Sequence, residues 1–95
     1  MRTRVSSARA WLDALVVRHD AGPLDEAAVA EICMLKIHAT QAMQFCADQA
    51  VQILGGSGYV RGTKSERIYR EVKIMMIGGG SEEIMKELAA RQLGL

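Results

Sequence analysis

The chain has 95 residues, of which 49% are hydrophobic, 4% aromatic and 24% charged, and its formal net charge is +1. A chain of this length makes one domain at most and buries roughly 60–65% of its unfolded surface. Balanced charge offers no nucleic-acid surface, no apolar run approaches the ~18–20 residues of a membrane span, and the scarcity of aromatic residues requires an aliphatic core of Ala, Leu, Ile and Met, which favour helix over strand.

The first helix is expected from about Val5 to Arg18, with Val5, Ala8, Leu12 and Leu15 at helical spacing. Its basic start and apolar stretch resemble a signal peptide. Asp13 interrupts that stretch, however, and no small-residue cleavage motif precedes His19 and Asp20. The segment therefore reads as a helix of a mature, intracellular protein. Gly22 and Pro23 end it, and Asp25 is placed to cap the next helix, with Glu26 complementing its dipole.

The second helix is expected over about Glu26 to Leu54, with a stripe of Ala28, Ile32, Leu35, Ala39, Ala42, Cys46, Ala50 and Ile53. Small residues in its second half allow close approach of another helix. From Ile32 to Ile37 the apolar character, through Cys33 and Met34, extends nearly all the way round, which implies burial on several faces and hence another subunit or further polypeptide. Cys33 and Cys46, thirteen positions apart on one helix, lie ~20 Å apart along its axis, too far for the ~7 Å that a disulfide permits. Both read as small buried hydrophobes in a reducing compartment.

Gly55 and Gly56 stop this helix, with a left-handed cap residue expected there. Residues 57–64 read as a loop in which Gly58 and Gly62 supply flexible positions. A third helix is expected over about Ser65 to Ile77, with Glu66/Arg70 and Arg67/Glu71 as i,i+4 pairs on its solvated side and Ile68, Val72, Met75 and Met76 on its apolar side. Gly78, Gly79 and Gly80 break the chain again. Ser81 then caps a fourth helix to about Leu93, with Glu82 and Glu83 in its first turn and Arg91 in its last. The fold class is all-α, an incomplete up-down bundle of about four helices.

Taken alone, these residues show no catalytic constellation. The Walker A pattern fails because Thr63 comes directly after Gly62, and the dinucleotide fingerprint fails because Arg61 stands where its third glycine belongs. His38 has no i,i+4 ligand partner and reads as an interface or core histidine, whereas His19 reads as solvated. Neither cysteine has a nearby base or a helix N-terminus to activate it. The six methionines read as core filler.

Three segments in order nevertheless resemble the C-terminal part of the acyl-CoA dehydrogenases. Residues Ala50-Val51-Gln52-Ile53-Leu54-Gly55-Gly56-Ser57-Gly58-Tyr59 are similar to that family's helix-to-glycine turn. Glu66-Arg67-Ile68-Tyr69-Arg70-Glu71-Val72-Lys73-Ile74 resembles its Glu-Arg-x-x-Arg-Asp-x-x-Ile helix, with Glu71 for the usual Asp. Ile77-Gly78-Gly79-Gly80-Ser81-Glu82-Glu83-Ile84 stands where the family usually has Ile-Tyr-Glu-Gly-Thr. The resemblance implies that residues 1–95 form a C-terminal helical domain lacking its first helix. It implies FAD as cofactor, an acyl-CoA substrate, an electron-transfer partner and a homo-oligomer, in the cytoplasm or, in a eukaryote, the mitochondrial matrix. It places Gln52, Ile53, Leu54, Gly55 and Gly56 against the adenine side of FAD, Ser81, Glu82 and Glu83 near the FAD at a helix N-terminus, and Gly79 and Gly80 beside the acyl thioester.

The resemblance also marks a departure. Many members carry at position 79 the glutamate that removes the α-proton, and Gly79 cannot do so. Either the base is a glutamate on an earlier helix, as in the long-chain and isovaleryl-type branches, or the parent protein has different flavin chemistry or none. The amide of Gly79 retains one implied role, polarising the thioester carbonyl. Two functions are expected as rivals: a fragment of an FAD-dependent acyl-CoA dehydrogenase, inactive by itself, and a non-catalytic helical oligomerisation module derived from that family.

Overall fold

The computed structural model describes residues 1–20 and 22–95. They form α1 (Arg2–His19), α2 (Glu26–Leu54), a single-turn α3 (Gly56–Tyr59), α4 (Lys64–Ile77) and α5 (Glu82–Gln92), and no strand occurs among the described residues. The all-α expectation holds. The 29-residue α2 is the axis on which α1, α4 and α5 each pack. At ~1.5 Å per residue it runs about 43 Å, which sets the 47 Å long dimension of the molecule.

The helix ends obey the sequence chemistry. Asp25 accepts the Ala28 N–H at 2.8 Å, and Ser81 accepts the Ile84 N–H at 3.5 Å. α1 is longer than its apolar spacing suggested, beginning at Arg2, because Val5 N–H donates to the Met1 carbonyl. The stretch expected to be a loop contains α3. There Gly58 is not a flexible position: it is buried, and a Cβ on it would meet Leu54 Cβ at 2.8 Å and the Val51 carbonyl oxygen at 3.1 Å.

The core is built of small side chains. Ala28, Ala30, Cys33, Leu35, Ala42 and Ala47 of α2 are buried together with Leu15, Val72 and Ala89 from its three neighbours. Ala30, Cys33 and Ala89 pack closely where α5 crosses α2, with Val29, Met85 and Leu88 around them. Such residues let helix axes approach but bury little apolar area each. The long apolar residues lie elsewhere. On the expected stripe, Ile32 and Ile53 are exposed, and on α4 only Val72 is buried while Ile68 and Met75 stay exposed. The several-sided apolar character of 32–37 is thus left uncovered at Ile32 and Met34.

Candidate functional site: two glycine joints

The first joint closes α2. Gly55 N–H donates to the carbonyls of Val51 (2.9 Å) and Gln52 (3.3 Å). Its φ of 61° is positive, as expected of a cap, but its ψ of −143° lies outside the left-handed helical region, in backbone space that is essentially glycine's alone. The chain then turns back through α3, and the turn is held by side chains. Ser65 Oγ donates to the Gly58 carbonyl (2.9 Å) and Thr63 Oγ1 to the Val60 carbonyl (2.9 Å). The Glu66 carboxylate accepts from Arg70 Nε (3.1 Å) and from Gly62 N–H (3.4 Å), which together hold its carboxyl below the usual range, Arg70 contributing most. Gln52, Ile53, Leu54, Gly55 and Gly56 are all exposed, with Ile53 at 70%.

The second joint links α4 to α5. Gly78 N–H donates to the Ile74 carbonyl (2.7 Å), after which Gly79 (φ 72°) and Gly80 (φ 115°) carry the chain into Ser81. Among the described residues the Gly79 N–H has no hydrogen-bond partner, and a Cβ at Gly79 would meet nothing within 4 Å. The joint is anchored from behind by Lys36 of α2, whose Nζ donates to the Met76 carbonyl (3.2 Å) and to the Gly80 carbonyl. In the first turn of α5, Glu82 pairs with Lys86 at 2.6 Å. That hydrogen bond, and a second from Gln41, lower the Glu82 pKa, and the same pair raises that of Lys86. Glu83 is exposed.

The two sets of expected site residues are not brought together within the chain. Lys36 marks the position of the second joint on α2 and Gln52 begins the first, sixteen residues further on, or about 24 Å along the helix axis. They lie at opposite ends of α4, the first fully exposed and the second exposed at Gly79 and Glu83 but half-buried at Gly80, Ser81 and Glu82. Between them, Val5 and Ala8 of α1, Ala42 and Cys46 of α2, and Ile68 and Val72 of α4 line an apolar groove of about 450 Å³.

The remaining candidates are structural. Both cysteines are free, Cys33 buried and Cys46 half-buried. His38 joins α1 to α2, with Nε2 3.0 Å from Ser7 Oγ and its ring 5.8 Å from that of Trp11. His19, expected to be solvated, is half-buried beside Leu12, Leu15 and Ile32. No cluster of three metal-ligating side chains occurs among the described residues, and no helix among them is long and apolar enough to cross a membrane. Sequence reasoning missed Lys36. Its signal was a lone cation inside an otherwise apolar run, which requires a buried acceptor for its ammonium group.

A family described as "Acyl-CoA dehydrogenase, C-terminal domain" matches residues 1–94. The chain is 36% identical over 94 residues to an acryloyl-CoA reductase (NADH) of Anaerotignum propionicum, covering 98% of this chain and 23% of that protein. It is 34% identical over 93 residues to the mitochondrial long-chain specific acyl-CoA dehydrogenase of Rattus norvegicus, covering 98% of this chain and 21% of that protein. A crystal structure from Mycobacterium smegmatis, provisionally described as an acyl-CoA dehydrogenase, superposes with a TM-score of 0.91 at 41% identity, covering 99% of this chain and 24% of that one. The chain thus spans about a quarter of the length of the relatives it matches.

Proposed function

Because the chain belongs to the acyl-CoA dehydrogenase C-terminal domain family, we propose that it is the C-terminal helical segment of an FAD-dependent enzyme oxidising acyl-CoA thioesters between Cα and Cβ. In this reading it supplies subunit contacts and one wall each of the flavin and substrate sites. The observation that carries the proposal is the second joint, where the Gly79 N–H has no hydrogen-bond partner among the described residues and the space a side chain would fill is open, next to a helix N-terminus.

The chain's own residues fit a flavin and a thioester. Gly55, Gly56 and Gly79 leave room for close approach, and exposed Ile53 and Leu54 offer an apolar ledge next to the first pair. The N–H groups of Glu82 and Glu83 are those a helix leaves without intrahelical partners, and they suit phosphate or hydroxyl oxygens. FAD, when bound, supplies the hydride acceptor. Gly79 N–H donates to the thioester carbonyl and stabilises the charge that develops there as the α-proton leaves. Glu82 is held anionic by Lys86 and Gln41, which suits a dipole partner of α5 and not a base whose pKa must lie near the working pH. We place the base on polypeptide outside this chain. In this reading the two separated joints are each completed by other polypeptide, from the same protein or a neighbouring subunit, and an electron-transfer partner reoxidises the flavin.

The test combines the chain with a complementary N-terminal polypeptide and measures retained flavin absorbance and acyl-CoA-dependent dye reduction. Stoichiometric yellow colour with turnover is expected. A colourless complex without turnover rejects the reading. The second reading, a helical oligomerisation module without flavin chemistry, is favoured by the exposed apolar groove between α1, α2 and α4, and a well-folded colourless oligomer without affinity for FAD or acyl-CoA establishes it.

A further inference from the structure

We infer that Lys36 is a positioning residue for the α4–α5 joint, fixing the direction in which Gly79 presents its N–H; the inference rests on the role of that amide proposed above. Three successive glycines carry more backbone freedom than any other tripeptide, and two of these three sit at positive φ. Left to itself such a segment would sample many arrangements. The bond from Gly78 N–H to the Ile74 carbonyl fixes only its start, and the bonds from the Ile84 and Met85 N–H groups to Ser81 fix only the first turn of α5. Lys36 spans the gap. Its Nζ bonds the Met76 carbonyl on the α4 side and the Gly80 carbonyl on the α5 side.

The chemistry suits an ammonium group. Met76 is among the last four residues of α4, whose carbonyls lack intrahelical donors, and the negative end of the helix dipole faces a cation there. An ammonium has several donors on one atom and can serve two converging carbonyls, and charge assistance strengthens both bonds. The unfavourable encounter is with the positive end of α5, which Glu82 and Glu83 offset from its first turn. Held on both sides, the Gly78–Gly79 peptide has only the few dihedrals between the two tied carbonyls to vary, and nothing beyond the chain neighbours lies within 4 Å of where a Gly79 Cβ would stand.

The experiment pairs Lys36→Met with Lys36→Arg. Hydrogen exchange of the chain by segment is expected to quicken about ten- to a hundredfold at Gly78, Ile84 and Met85 in K36M, the effect of losing charge-assisted bonds, with α1 and the second half of α2 unchanged and K36R close to the parent. In the flavoenzyme carrying this segment, K36M is expected to lower kcat about tenfold with KM nearly constant, because the Gly79 bond strengthens only as charge develops. K36R is expected to recover part of the loss. Unchanged exchange at the joint overturns the inference, as does exchange quickened evenly along the whole chain. Faster exchange at the joint with unaltered kcat leaves the tie in place but removes the Gly79 amide from the reaction, which overturns both its proposed role and Lys36's part in it.

Discussion

Glu31 shows how one carboxylate joins two helices. It accepts Trp11 Nε1–H at 2.8 Å and pairs with Arg18 at 2.5 Å, so two turns of α1 contribute to its site on α2. These bonds, Arg18's first and Trp11's second, lower its pKa. A depressed folded pKa stabilises the fold above the ordinary glutamate value of about 4.3, and the benefit is lost as pH falls through the lower folded value. Thermal midpoints measured by circular dichroism are therefore expected to drop between about pH 5 and pH 3, and Glu31→Gln to flatten part of that drop. Glu66 and Glu82, also depressed, are expected to retain the remainder. The glycines of the second joint divide in the same residue-level terms. Gly79→Ala enters the left-handed region with free space around its Cβ and is expected to cost about 1 kcal/mol. Gly80, at φ 115° and against the flexible end of Met85, lies outside that region, and Gly80→Ala is expected to cost about 1–3 kcal/mol, a ranking that urea denaturation of the two variants checks. The glycines are visible in the sequence, but which of them needs a positive φ is not. That depends on where Met85 and Lys36 meet the chain.

At the level of elements, helix signals survive folding wherever they are local. Asp25 and Ser81 cap the helices they are expected to cap, and Glu66/Arg70 (3.1 Å) and Arg67/Glu71 (3.8 Å) form along α4. The caps differ in quality, 2.8 Å at Asp25 against 3.5 Å at Ser81. Asp25→Ala is accordingly expected to cost about 1–2 kcal/mol and Ser81→Ala about 0.5 kcal/mol, as read from the midpoint of chemical unfolding. What the sequence could not reveal is α3. Gly-Ser-Gly-Tyr has little intrinsic helix propensity, and its turn exists because buried Gly58 lets the chain press on Val51 and Leu54 while Ser65 and Thr63 both donate to the Gly58 carbonyl. The apolar face of α4 departs from expectation for the opposite reason. Its periodicity is real, yet in this chain only Val72 of that face is buried, while Met76 is half-buried and Ile68 and Met75 are exposed. Val72→Ala is expected to cost about 1.5–3 kcal/mol, whereas Ile74→Ala, at an exposed site, is expected to fall within about 0.5 kcal/mol of the parent.

At the scale of the whole molecule, the chain is more extended than a compact domain of its length. A compact domain of 95 residues has a radius of gyration of about 12 Å, but this chain has 15.7 Å. A monomer of 10.4 kDa exposes about 5,400 Å², and this one exposes 6745 Å². The excess, about 1,300 Å², exceeds what one partner loses in an interface of standard size, about 800 Å². It coincides with the side chains that found no core. Val5, Ile68 and Met43 sit at the groove between α1, α2 and α4, and Ile32 and Leu12 lie nearer the start of α2. Burying such a surface drives association irrespective of any flavin chemistry. The isolated chain is therefore expected to sediment as a dimer or larger species at micromolar concentration, with a melting temperature that rises with protein concentration, since association stabilises the folded chain by mass action. Placing a charge in the groove separates this from mere stickiness. Met43→Glu puts a carboxylate at an exposed position lining the groove and should abolish association, whereas Ile53→Glu, at the distant first joint, should leave it intact. Association that survives M43E and disappears in I53E would move the subunit boundary from the groove to the glycine turn that ends α2.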